Sequence, residues 1–176
     1  MKRHTNPGHS IPLVDLGHGK VADHAEAIAT ACKEDGFFYL IGHGVTSATV
    51  DEAFAAMQAF FATPLEQKNT YHIRHSHPHQ RGYVPLFEEN LGDGSTSDFK
   101  ESFDLGVDLA PEHPDVIAGK PFAAPNVWPD TPGFKSAIET YHAEMMVLGH
   151  RLVKLTAMGL GLDEQYFDTA MREPVG

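Results

Sequence analysis

Twelve of the 176 residues are histidine, the side chain best suited to bind a metal or move a proton near neutral pH. Four of them, His72, His75, His77 and His79, fall within "YHIRHSHPHQR". Together they can hold Zn(II), Ni(II) or Cu(II) if the loop folds round the ion. The cluster contains no carboxylate or cysteine, so a solvated loop that meets metal only adventitiously is the plainer reading. His43 stands between two glycines at the end of "GFFYLIGHGV". The glycines let the backbone turn sharply as a strand exits, and an imidazole there can hydrogen-bond neighbouring backbone. His43 therefore reads as a structural pin. The one His-x-Asp, His113-Pro114-Asp115, has ligand types that suit iron. Pro111 and Pro114 crowd it and no strand pattern surrounds it. The downstream His142 and His150 fall on a helix, off its apolar stripe. An exposed loop is the better reading for this pair.

Composition narrows the classes of partner. With 13 basic and 24 acidic residues the formal charge is -11, and no compact basic cluster offsets it. Nucleic acid and anionic membranes, which need a basic footprint, are excluded as expected partners. Apolar residues make up 41% and charged residues 21%, ordinary values for a folded protein, and the length suits one domain. Cys32 is the only cysteine, which rules out an intrachain disulfide and points to a reducing compartment. "MKRHTNPGHS" lacks the apolar core of a signal peptide, and Phe37 to Ile41 is far too short to span a bilayer. A cytoplasmic location is expected.

The elements that must position these side chains follow from periodicity. Residues 1–10 form a polar lead-in. "IPLVDL" reads as an edge strand. Val21, Ala25, Ile28 and Cys32 recur at helical spacing and predict a helix over 20–35, closed by Gly36. "FFYLI", apolar throughout, predicts a strand buried on both faces. Val50, Phe54, Met57 and Phe61 mark a second helix, with Thr46 or Ser47 placed to cap it. In "TPLE", Thr63 can cap, Pro64 fits the first helical position and Glu66 can close the box. "KESFDLGVDL" alternates as a strand, and a proline-rich loop follows. Phe134, Ile138, Tyr141, Met145, Leu148, Leu152 and Leu155 form a stripe on a long helix opened by Thr131 and Pro132. A short helix is expected around residues 164–171. The strands are too few to complete a sheet.

The order "IPLVDL", "CKEDGFFYLIGHGV", "FFATPLEQK", "RGYVP", "KESFDLG", "NVWP" and then a long helix ending "LTAMGLGLDEQYF" resembles the N-terminal region of the isopenicillin N synthase-like, 2-oxoglutarate- and Fe(II)-dependent oxygenases. The seven pieces run from Ile11 to Phe167. The resemblance implies an α+β fold: the helical and strand region, with its long supporting helix, that precedes a double-stranded β-helix (jelly roll). It implies one domain over 11–176, with the barrel largely absent and no catalytic residue in this chain. Fe(II) and 2-oxoglutarate are expected as cofactors of the complete enzyme, held by downstream His-x-Asp, His and Arg-x-Ser residues.

The resemblance also places "QRGYVP" near the mouth of the active site. Arg81 could then pair with a substrate carboxylate and Tyr83 could donate a hydrogen bond. Alternatively Gly82 and Pro85 shape a turn, Arg81 is a surface charge and Tyr83 belongs to the core. Lys100 and Glu101 read as pairing or anchoring residues. Asn126 and Trp128 read as pins for the loop entering the long helix. The implied function is oxidation of a small molecule by the complete enzyme, with this chain inactive alone. Two other readings stand beside it: a free-standing binding or regulatory module, and a histidine-rich metal-binding protein. Uncovered apolar surface would be met by the missing barrel or by self-association.

Overall fold

A computed structural model describes residues 11–89 and 97–171. The polar lead-in expected over 1–10 lies outside these. The described residues divide into two compact units, each with its own apolar core: 11–46 with 142–171, and 47–89 with 97–141.

In the first unit, β1 (Leu13–Asp15) and β2 (Tyr39–Ile41) pair in parallel, with Val14 opposite Leu40. Parallel neighbours need a crossover, and α1 (Val21–Glu34) supplies it. Asp23 accepts the Lys20 N–H at 3.2 Å, which satisfies a donor at the start of the helix. At its end Gly36 takes φ +83° and returns its N–H to Ala31 O at 3.0 Å, the left-handed stop expected of a glycine there. Val14, Leu16, Ala25 and Ile28 pack with Leu148 and Leu155 from α5 (Phe134–Gly159).

The expectation that "FFYLI" is buried on both faces is not met. Leu40 packs inward, whereas Phe37, Tyr39 and Ile41 are exposed, as is Leu13 on β1. The sheet has two strands and its inner face alone is covered by the described residues. The C-terminal helix is shorter than expected: α6 spans Asp168–Met171.

The second unit holds α2 (Ser47–Phe61), α3 (Leu65–Asn69), a 3-10 turn (Ile73–Ser76), an antiparallel pair of β3 (Gly82–Val84) with β4 (Ser102–Asp104), and α4 (Pro114–Ile117). Phe60 is its centre. The rings of Phe61, Tyr71, Tyr83, Phe103 and Phe134 surround it with centroids 4.9 to 6.2 Å away, mostly edge to face, as ring quadrupoles prefer.

Three local expectations are corrected here. The buried face of α2 is Thr49, Ala53, Ala56 and Phe60, and Phe54 is 70% exposed. The most buried line thus sits one residue away from the larger side chains, of which Met57 and Phe61 are half-buried against the same core. Thr63 does not cap α3; its hydroxyl donates to Phe60 O at 2.7 Å and closes α2 instead. The seven-residue stripe on α5 serves both cores. Phe134, Ile138 and Tyr141 pack in the second, Leu148, Leu152 and Leu155 in the first, and Met145 is exposed.

Two glycines of α5 make a contrasting pair. A Cβ on Gly159 would lie 2.7 Å from Ala25 O and 2.9 Å from Ala29 Cβ, whereas one on Gly149 meets nothing within 4 Å. Gly159→Ala should therefore cost about 1–3 kcal/mol through overpacking. Gly149→Ala should gain about 0.5–1 kcal/mol from helix propensity. Urea denaturation of the two variants reads the opposite signs directly.

Candidate functional site

The β3–β4 hairpin turns Tyr83 and Phe103 into the core. Arg81, just before β3, is neither a surface charge nor solvent-facing: it is 4% exposed. Its Nη1 donates to His79 O at 3.0 Å and Gln80 O at 3.3 Å, and its Nη2 to Phe122 O at 2.8 Å. Gly106 makes room for it, because a Cβ there would overlap the guanidinium. The Nε–H is buried and has no acceptor. Burial pulls the guanidinium below its ordinary value while Asp104 and Asp108 push it back up; it stays charged, as arginine does in proteins. Arg81 lines a cavity of about 320 Å³ with Gln80, Phe103, Asp104, Leu105 and Phe122.

Tyr83 has no exposed surface. The side chain that the resemblance sets beside substrate thus stands within the core in this structure. Its hydroxyl donates to Glu101 Oε2 at 2.6 Å, and Lys68 Nζ reaches the same oxygen at 2.7 Å. Lys68 also donates to Phe61 O at 3.2 Å and lies 5.3 Å from the centre of the Tyr83 ring. Burial, the hydrogen bond to Glu101 and the carboxylate charges of Glu101 and Glu88 push the Tyr83 phenol well above its ordinary range. Burial by itself would raise the Glu101 carboxyl. The hydrogen bonds from Lys68 and Tyr83, with the Lys68 charge, outweigh that and hold it below 4.5. Lys100 pairs with Glu89.

A second bracket joins β4 to the approach to α5. Asn126 behaves as a strand partner of Gly106: its Oδ1 accepts the Gly106 N–H at 3.0 Å and its Nδ2 donates to Gly106 O at 2.8 Å. Asp108 takes the Asn126 N–H at 2.7 Å and the Trp128 indole N–H at 2.9 Å.

The histidines go to backbone work. His43, His72 and His113 each accept, through Nδ1 at 3.2 Å, the N–H of the residue two positions on: Val45, Arg74 and Asp115. Each holds the start of a turn as Asn or Asp does. At Gly42 and Gly44, φ is +61° and +93°, so the chain turns at His43 where L side chains are strained. His72 is buried and directs Nε2 at Glu88 Oε1, 2.9 Å away. Asp115 pairs with Lys120 at 2.6 Å, so both halves of the His-x-Asp are engaged locally. Among the described residues, no group of three or more His, Cys, Asp or Glu side chains is placed to hold a metal ion. His72, His75, His77 and His79 do not converge on such a site, and the residues present do not fit an iron centre.

Sequence reasoning missed Lys68 as the partner of Glu101, 33 residues away, because "EQKN" reads as a solvent-facing helix turn. It also missed Gln80 and Phe122 as left-handed residues, at φ +54° and +62°.

Glu101→Gln should destabilise the chain by about 1.5–3 kcal/mol at pH 7, since charge-assisted hydrogen bonds are lost and Lys68 stays buried. A folded value held below 4.5 means that this stabilisation is complete above 4.5 and is lost as pH falls through the folded value. The gap between wild type and variant in urea denaturation should therefore be widest at neutral pH and close below 4.5. A gap that does not change with pH would exclude the carboxylate as its source.

Three comparisons bear on what this arrangement belongs to. Residues 11–131 match the family described as "non-haem dioxygenase in morphine synthesis N-terminal". The chain is 32% identical over 166 residues to Kihadalactone A synthase LFS of Citrus sinensis, covering 92% of this chain and 48% of that protein. It is 35% identical over 184 residues to Clavatol oxidase claD of Penicillium crustosum, covering 93% and 54% respectively. Among solved structures it is similar to a putative 2OG-Fe(II) oxygenase family protein from Caulobacter crescentus, with a TM-score of 0.76 and 26% identity, covering 90% of this chain and 51% of that one. The chain thus spans about half the length of the curated relatives it matches. With a family match over most of its length and a mixed helix-and-strand fold without a closed barrel among its described residues, it belongs to the 2-oxoglutarate- and Fe(II)-dependent oxygenases, through their N-terminal region.

Proposed function

We propose that this chain is the N-terminal portion of an oxygenase that uses 2-oxoglutarate and Fe(II) to hydroxylate, desaturate or cyclise a small molecule. The observation that carries this is the family match over 11–131 together with a span of about half of each relative. The two cofactors belong to the complete enzyme and are held by residues outside this sequence. The chain contributes wall and support. Arg81 meets the substrate from the cavity beside β4, and Tyr83 acts from the core, holding Glu101 and thereby the strand behind that wall. Purified alone with Fe(II), 2-oxoglutarate and ascorbate, the chain should release no succinate above a protein-free blank. Iron-dependent succinate release by these 176 residues would overturn the reading.

The exposed face of β1 and β2 supports a reading of the partner. Leu13, Phe37, Tyr39 and Ile41 are between 42% and 60% exposed, and among the described residues no further strand pairs with either edge. In the complete protein this face is covered by the barrel half. In the isolated chain it leads to self-association, as uncovered edges and apolar patches do. Sedimentation velocity should show the mean mass rising with concentration, and Tyr39→Lys should suppress the rise. A sharp monomer at every concentration would count against an uncovered docking face.

A further inference from the structure

The two edges of the β1–β2 sheet are not equivalent. Tyr39 donates its N–H to Pro12 O at 2.8 Å, and Ile41 O accepts the Leu16 N–H at 2.9 Å. Both residues thus turn their backbone groups towards β1. In an extended strand successive residues turn theirs to opposite sides. The N–H and C=O of Leu40 therefore lie along the outer edge of β2, and those of Leu13 and Asp15 along the outer edge of β1. Among the described residues no further strand pairs with either edge.

Charge separates the two. Asp15 places a carboxylate at the β1 edge, engaged by the Gly17 N–H at 2.8 Å and by His18 at 3.1 Å. A charge on an edge strand discourages pairing, and like charges brought opposite each other repel. "GFFYLIGHGV", which contains β2, has no Asp, Glu, Lys or Arg. In a chain of formal charge -11, a second copy meets least repulsion along such a segment.

We propose that the outer edge of β2 takes a second copy of this chain, its β2 antiparallel to the first about a two-fold axis at Leu40. This rests on the uncovered sheet being the seat of self-association, as proposed above, and adds the edge and the register. The two Leu40 residues exchange both N–H···O bonds across the axis. Tyr39 of each chain then falls opposite Ile41 of the other, in the close non-hydrogen-bonded positions where an aromatic and a β-branched side chain pair well. Both are exposed in the single chain, by 60% and 42%, while Leu40 between them packs inward.

The test places single cysteines in the 176-residue chain carrying Cys32→Ser, because Cys32 is the only native thiol and is exposed. Tyr39→Cys, Ile41→Cys and Leu13→Cys, each with an unchanged far-UV circular dichroism spectrum, are oxidised mildly alone and in equimolar pairs. Opposed residues of a non-hydrogen-bonded pair have Cα atoms about 4.5 Å apart, within disulfide reach. The mixture of Tyr39→Cys with Ile41→Cys should give a mixed disulfide dimer, identified by intact mass. That crosslink should be lost when either variant is oxidised alone and in every sample of Leu13→Cys. A dimer from Tyr39→Cys alone or from Ile41→Cys alone would overturn the register. A dimer through Leu13→Cys, or association in sedimentation with no crosslink at all, would overturn the β2 edge while leaving self-association standing. A chain that stays monomeric at every concentration would overturn both this inference and the reading it rests on.

Discussion

Glu101 Oε2 receives the Lys68 ammonium and the Tyr83 hydroxyl at 2.7 and 2.6 Å, and most of the second unit is arranged around that oxygen. Lys68 comes from α3, Tyr83 from β3 and Glu101 from the residue just before β4, so three segments apart in sequence are tied together at one atom. Each group would be expensive to bury alone. An ammonium at 8% exposure needs a counter-charge, and a buried phenol needs an acceptor. Because one carboxylate answers both, the network can stand against the aromatic cluster of Phe60, Phe103 and Phe134. Removing one partner would therefore cost more than the pair's net worth, since the others stay buried.

That arrangement also determines where Arg81 lies. β3 begins one residue after it, and the register of Tyr83 opposite Phe103 sets Gly82 opposite Asp104. The guanidinium then falls against Gly106, the one place on this side of β4 without a Cβ to displace it. The Asn126 amide, bonded to both backbone groups of Gly106, keeps that glycine from moving away. The cavity's polar edge is thus a consequence of hairpin register and of two side-chain brackets. A one-residue slip would turn Tyr83 out of the core.

Some of this was legible in the sequence. The 4, 3, 4, 3 spacing from Phe134 to Leu155 identified α5, because a long helix with a continuous stripe has no competing period. Gly36 marked the end of α1 for a steric reason that sequence carries in full. β3 was hidden in "NTYHIRHSHPHQRGY", since three residues paired across a long loop leave no periodicity. On α2 the large apolar residues marked the helix but not its most buried line: Ala53, Ala56 and Phe60 are inside, Met57 and Phe61 are half-buried beside them, and Phe54 is out. Histidine count by itself decides nothing. The ring that can bind metal can also accept a backbone N–H, and His43, His72 and His113 do the second. Only the position of the residue two places on distinguishes these uses, and that is a fact of backbone conformation.

The strand "FFYLI" holds the remaining discrepancy between sequence and fold. A strand with one solvated face alternates apolar and polar residues, and an open edge is normally blunted by charge or proline. β2 does neither: Leu40 is inside, and Phe37, Tyr39 and Ile41 on the other side are large and apolar as well. These side chains and Leu13 are about half exposed, so covering each would add about 1 kcal/mol, roughly half of what full burial of such a side chain is worth. The described fold leaves that stabilisation unused. The composition of "FFYLI" thus departs from the one-sided pattern at Phe37, Tyr39 and Ile41, the side chains on its uncovered face.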